Sequence, residues 1–201
     1  MISGNVMAAH AKLDFTAELR KMEIVIIDNM QRWRLMLLYH GSNVIVETPR
    51  LLNQTRGLDF GSGFYLTTNE EQAARFSEIV LKRQKSGFPA VSVYEFDAVV
   101  AEKVLVVRKF DSADAEWLRF VVENRAKFYQ GKNYDVVIGA VANDRVMPTV
   151  LAYMNGFLNE EATLITLKTS KLVDQICLKT EAALSQIKFV RAYEVNRGPG
   201  K

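Results

Sequence analysis

The β-type run Tyr134 to Ile138, which leads the apolar stretch Val136-Val137-Ile138-Gly139-Ala140-Val141-Ala142, constrains this chain more than any other, because a strand without alternating polar residues belongs in the middle of a covered sheet. It is therefore expected to be a central strand. Around it, short β-type runs recur at Leu37 to Tyr39, Phe64 to Thr67, Ala90 to Phe96, Val104 to Val107, Asp174 to Lys179 and Lys188 to Val195. A helix is expected from a cap at Asn69, with Glu70 and Glu71 in its first turn suiting the macrodipole. Another starts at Asp111 or Ser112 and carries Trp117, Phe120 and Val121. A third opens at Asp144, is broken early by Pro148, and sets Val150, Leu151 and Met154 on one face. Strands bracketing irregularly spaced helices imply an α+β fold rather than a doubly wound sheet.

With 201 residues, 49% of them hydrophobic, the chain fits one compact domain. A chain of this size buries about 70% of its extended surface and needs no staple. Cys177 is the sole cysteine, and no clustered Cys/His spacing suggests a metal, so none is expected. The net charge of +3 argues neither for nor against anionic partners. No apolar run approaches the ~20 residues of a membrane span, the run Ile24 to Ile27 stopping at Asp28. With no secretory leader visible at the N-terminus, a cytoplasmic location without membrane contact is expected. Residues 1–36 read as a helical N-terminal extension of unknown role, 37–196 as the functional domain and 197–201 as a disordered tail.

Three segments could carry chemistry. Tyr39-His40-Gly41-Ser42 ends a strand, Gly61-Ser62-Gly63-Phe64-Tyr65 enters another, and Asp174-Gln175-Ile176-Cys177 begins a late one. Each has a plain structural explanation: a core histidine sharing a face with Leu38, a turn before a buried aromatic strand, and an exposed strand start. The GxG of Gly61 and Gly63 leads into a strand rather than a helix, which excludes the dinucleotide-fold fingerprint. Asn143-Asp144-Arg145, after the apolar strand, reads as a helix cap or as polar groups at the sheet's end. Lys168 to Lys201 is basic with interleaved Phe189 and Tyr193, a weak nucleic-acid signal that an edge strand carrying lysines explains equally well.

Together, Leu38-Tyr39-His40-Gly41-Ser42 and Leu58-Asp59-Phe60-Gly61-Ser62-Gly63-Phe64-Tyr65-Leu66 resemble ADP-ribosyltransferases of the diphtheria-toxin and poly(ADP-ribose) polymerase type, and most of all small uncharacterised bacterial proteins of that superfamily. The resemblance runs from about Leu37 to Val195 and implies a split, antiparallel-rich β-sheet core with surrounding helices. It also implies NAD as substrate. In that reading His40 binds the adenosine ribose, the Gly41 backbone holds the nicotinamide amide, Tyr65 stacks on the nicotinamide ring and Phe76 covers its other face. Ser42 and Gly63 complete the NAD-binding set. The serine that such proteins place three residues before the second aromatic is Ala73 here.

The catalytic set implied by the resemblance is His40, Tyr65 and Gln175, the last standing where active relatives carry glutamate. Glutamine can bond a ribose hydroxyl but brings no charge to an oxocarbenium centre. A carboxylate could instead come from Asp174 through a bulge, or from Glu181 after a shifted strand. The expected activity is transfer of ADP-ribose to a protein or nucleic-acid acceptor, in a toxin-like protein checked by an antitoxin or regulatory partner. The alternatives are an NAD-binding module without transfer, and an NAD glycohydrolase.

Overall fold

A computed structural model describes residues 35–52, 56–142, 146–169 and 172–196. Apart from Leu35, these lie in one of the two units into which the chain divides, Met36–Lys201. In chain order they form β1 (Leu35–Ser42), β2 (Phe64–Leu66), α1 (Glu70–Gln84), β3 (Ala90–Asp97), α2 (Ala98–Val104), β4 (Val107–Lys109), α3 (Ala115–Arg125), β5 (Val136–Ala140), α4 (Met147–Met154), α5 (Glu160–Lys168), β6 (Asp174–Leu178), α6 (Glu181–Leu184) and β7 (Ile187–Glu194). The fold is α+β. Its strands make two sheets, in the orders β1-β3-β7 and β2-β6-β5-β4. Pairing of β2 with β6, β5 with β6 and β3 with β7 is antiparallel, while β4 runs parallel to β5. One bridge stitches the sheets together, where Tyr39 and Thr67 exchange backbone hydrogen bonds of 2.9 and 3.0 Å.

Side-chain alternation along the strands sorts the core into layers. Leu38 of β1, Phe64 and Leu66 of β2, Tyr94 and Phe96 of β3, Val136 of β5 and Ile176 and Leu178 of β6 fill the space between the sheets. Val137 and Cys177 point the other way, into a cluster with Phe60, Trp117, Phe120 and Val150 under α3 and α4. The apolar β5 run is thus covered on both faces, Val136 and Val137 both being fully buried. On the outer face of the first sheet, Val91 and Val93 pack against Ala73 of α1.

Helix starts follow from local chemistry, with some corrections. Asn69 caps α1, its side chain accepting from the Gln72 N–H at 2.8 Å. Asp114, rather than Asp111 or Ser112, caps α3, accepting from the Trp117 N–H at 2.9 Å. Val104 ends helix α2, capped by Asp97, so the strand expected from Val104 begins only at Val107. Pro148 stands in the first turn of α4, where a missing N–H costs nothing, and opens the helix rather than breaking it. Val150 and Leu151 do not share a buried face: Val150 is sealed and Leu151 is 45% exposed. Asn159 caps α5, a helix the apolar spacing did not announce. The edge strand β7 carries Lys188 and Arg191, consistent with the edge-strand reading of the basic C-terminal stretch. The extension to residue 34, Asn143-Asp144-Arg145 and the tail from Arg197 lie outside the described residues.

Trp117 locks α3 onto the central sheet: its ring is fully buried and its Nε1–H donates to the Ala140 carbonyl at 3.0 Å. Trp117→Phe keeps an aromatic ring but leaves that carbonyl unpaired and a void behind it. The expected cost is about 1–3 kcal/mol, read as a lower urea midpoint at unchanged slope.

Candidate functional site

The turn that leads into β2 is tied down from several directions. A Cβ on Gly57 would lie 1.9 Å from the Arg125 carbonyl oxygen, so only glycine lets the chain pass the end of α3. Two residues on, Asp59 is 4% exposed, and its Oδ1 accepts from Arg125 Nε at 2.6 Å and Nη2 at 2.5 Å. Its Oδ2 accepts from the Ala142 N–H at 3.0 Å, so the turn is bolted to α3 and to the residue pair after β5. Gly61 takes φ +76°, a conformation open to glycine. The Lys179 ammonium donates to the Phe60 carbonyl and, at 3.2 Å, to the Ser62 carbonyl. The Tyr65 hydroxyl donates to the Gly61 carbonyl at 2.5 Å and accepts from the Phe60 N–H at 3.2 Å. Gly63 completes the approach, since a Cβ there would meet Cys177 Sγ at 2.4 Å.

His40 sits where the sheets are stitched. Its half-buried ring stacks on Phe64, with centroids 4.3 Å apart, and its Nδ1 bonds the Tyr65 carbonyl oxygen at 2.7 Å. Because that oxygen accepts, Nδ1 carries the proton and Nε2 is the basic atom; among the described residues Nε2 has no partner. His40 therefore meets the Tyr65 backbone, while the Tyr65 ring leaves β2 on the opposite face from Phe64. Gly41 is buried, and a Cβ there would lie 1.9 Å from the Ala73 carbonyl oxygen, so the alanine at the expected serine position is consumed in strand–helix packing. Ser42 bonds the Asn43 side chain at 3.5 Å. Phe76 is 40% exposed on α1 and makes no ring contact among the described residues.

Antiparallel pairing sets Tyr65 opposite Cys177, and Gln175, two residues before Cys177, lies on that same face. Gln175 faces Gly139 of β5 on its other side. Its Nε2 is buried without a closed hydrogen bond. Asp174 is already occupied: its carboxylate accepts from Thr67 Oγ1 (3.3 Å), Thr68 N (3.0 Å) and Thr68 Oγ1 (2.8 Å), clamping β2 to β6. Glu181 is an exposed first-turn residue of α6, behind the Thr180 cap. A cavity of about 300 Å³ opens beside Asp174, lined by Lys109, Phe110, Ser112, Gly139 and Leu172; His40 and Tyr65 take no part in it.

Burial dominates the electrostatics. It pushes the Tyr65 phenol well above its ordinary value, and the neighbouring Cys177 and Asp59 add to this. It also raises Cys177 to about 12, so the thiol is no nucleophile at neutral pH. Burial raises Asp59 against the opposing pull of Arg125, Ala142 N–H and Gln175. Among the described residues no group of three His, Cys, Asp or Glu side chains could hold a metal ion, and no helix is long and apolar enough to cross a membrane.

Asp59, Arg125 and Lys179 were not singled out by sequence reasoning. Asp59 stood inside the quoted turn motif, but nothing local pairs it with a residue 66 positions away. With this geometry in hand, a family model described as Protein of unknown function (DUF3990) matches residues 36–189, and the chain belongs to that family. No curated protein and no solved structure matches it.

Burial lowers the His40 pKa below 6.5, the Tyr65 carbonyl opposing it. A histidine depressed in the folded state is protonated first in the unfolded chain, so stability is full above about pH 6.5 and falls as pH drops from there toward the folded value. His40→Gln removes this titration. Melting temperatures measured between about pH 7 and pH 5 should fall less steeply in the variant than in the parent.

Proposed function

Membership of a family whose description assigns no activity leaves the reading to the residues themselves, and we propose that the chain binds NAD and transfers its ADP-ribosyl group to a macromolecular acceptor. One observation carries this: the pairing of β2 with β6, together with the His40 bond to the Tyr65 backbone carbonyl, brings three segments far apart in sequence to one seam, with Tyr65 and Gln175 on one face of the sheet and His40 on the Phe64 face. The resemblance to ADP-ribosyltransferases rests on the first two of these motifs, and the third, Gln175, stands where active relatives carry glutamate. In the reaction, the acceptor's lone pair attacks the ribose carbon bonded to nicotinamide and the acceptor loses a proton. The glycosidic C–N bond breaks, and its electron pair returns to the ring nitrogen as neutral nicotinamide leaves. Because the leaving group is cationic before it departs, little acid catalysis is needed, and the protein's task is to orient the ribose and stabilise its developing charge. Tyr65 supplies an aromatic face worth about 0.5–2 kcal/mol against a cation. His40 Nε2 supplies an acceptor for a ribose hydroxyl, and Gln175 a neutral polar contact to another.

A second reading, NAD binding without transfer, is favoured by the state of the carboxylates. Gln175 is an amide, Asp174 is spent on Thr67 and Thr68, and Glu181 lies exposed on α6. An antitoxin or regulatory partner and a cytoplasmic setting belong to this proposal as well.

Calorimetry with NAD and measurement of nicotinamide release separate the two readings. Transfer predicts binding to the parent, weaker binding to Tyr65→Ala, and release that falls about 10- to 1,000-fold in Gln175→Ala while binding survives. Binding with no release from the parent selects the second reading. No calorimetric signal at millimolar NAD rejects both.

A further inference from the structure

Another cavity, of about 180 Å³, is framed by α3, the end of β4 and the loop from α3 to β5. None of His40, Tyr65 and Gln175 lines it. Its aromatic wall is built on Phe120, which is 7% exposed: Phe110, Tyr129 and Tyr134 stand tilted against that ring, with centroids 5.2, 4.8 and 6.3 Å away and interplanar angles of 51°, 66° and 61°. The loop is shaped around Tyr129, whose hydroxyl donates to the Lys132 carbonyl at 3.0 Å and would lie 2.5 Å from a Cβ on Gly131. Glu116, Phe120 and Glu123, at i, i+4 and i+7, share the face of α3 that lines the cavity.

The charges around this wall are unequally engaged. The Arg108 guanidinium lies 4.5 Å from the Phe110 centroid and is paired with Glu116. Arg119 is taken by Glu160 through two hydrogen bonds of 3.2 Å. The Lys132 ammonium lies 5.9 Å from the Tyr134 centroid. Glu123, half-buried, makes no ion pair or side-chain hydrogen bond among the described residues. An anionic guest would meet the carboxylates of Glu123 and Glu116. A cationic guest would meet rings that already carry Arg108 and Lys132. A neutral flat ring stacks on tyrosine and on a guanidinium plane without either conflict, and it suits Glu123 if it brings N–H groups, because a carboxylate only accepts. At about 180 Å³ the cavity falls below the roughly 300–1,000 Å³ of a drug-sized ligand's site, so it takes a single base rather than a whole dinucleotide.

We propose that this cavity binds guanine, the base stacking on the aromatic wall while its N1–H and 2-amino group donate to the two oxygens of Glu123. Among the nucleobases guanine alone sets two donors side by side on its pairing edge, the spacing that a carboxylate accepts. Adenine and cytosine set an amino donor beside a ring acceptor, and uracil flanks its N–H with carbonyls. The inference does not depend on the NAD reading above. Guanine has two sources, a free nucleotide and a single-stranded nucleic acid, and the chemistry at Glu123 is the same for both.

Calorimetry on the full chain compares GMP, IMP, AMP and tetramethylammonium, each up to millimolar concentration. The three nucleotides share a phosphate, so differences among them report the base. GMP is expected to bind at least about tenfold more tightly than AMP and than IMP, which lacks the 2-amino group. In Glu123→Gln, whose amide presents one acceptor, that gap should close at unchanged Tm, whereas Tyr134→Leu should weaken GMP and IMP alike. Equal binding of GMP and AMP, a preference for AMP, tetramethylammonium bound in place of GMP, or no heat with GMP overturns the proposal. So does a GMP preference that survives in Glu123→Gln. Should Tyr134→Leu not fold, the ranking in the parent and in Glu123→Gln decides. With guanine binding in hand, a thymine oligonucleotide carrying one guanine separates the sources: binding tighter than that of GMP and of the all-thymine strand supports the site with nucleic acid as its source, and binding no tighter than that of GMP supports it with the free nucleotide.

Discussion

The ion pair between Asp59 and Arg125 is the constraint on which the rest of this site hangs. It joins the turn before β2 to the last residue of α3, and through Ala142 N–H to the chain leaving β5. Burying a carboxylate is costly, and such a pair adds little net stability over an apolar contact of the same shape. Its value is geometric. Once Asp59 is held, Phe60 is driven into the cluster with Phe110 and Phe120, Gly61 must take its positive φ, and the Tyr65 hydroxyl closes back onto the turn. Breaking one partner would strand the other's charge in the core, so the turn has one conformation open to it.

The two glycine motifs serve this packing as much as any ligand. Gly41 brings β1 onto the backbone of α1, and Gly63 brings β2 onto Cys177 and the Leu178 carbonyl. Both contacts are backbone or core contacts that a methyl group would disrupt. They set the sheets close enough for the Tyr39–Thr67 bridge and for the His40 bond to the Tyr65 carbonyl. A face results on which Tyr65 and Cys177 are neutral, Gln175 is uncharged, and the buried charge of Asp59 is already matched by Arg125. Beside it, burial lowers the titration of His40 below its ordinary value. Chemistry at such a face depends on orientation and stacking more than on charge.

Much of the architecture was legible from local pattern. The apolar β5 run announced its burial on both faces, Asn69 its helix, and the strand spacing an α+β fold, because these depend on neighbours within a turn or a strand. The motif residues His40, Tyr65 and Gln175 were equally visible as residue types. Misplaced features share one cause: Asp111, Ser112 and Asp114 are all chemically able to cap, and only the docking of Trp117 against Ala140 selects Asp114. Leu151 was placed on one helix face with Val150 and Met154, but only Val150 is sealed and Leu151 is exposed. What tertiary structure alone decided is who meets whom across long loops. Asp59 finds Arg125, Lys179 finds the Phe60 carbonyl, and Asp174 is spent on Thr67 and Thr68. Sequence determines which groups can donate, accept or fill space; pairing across dozens of residues is set by strand register and layer packing, which no local spacing encodes.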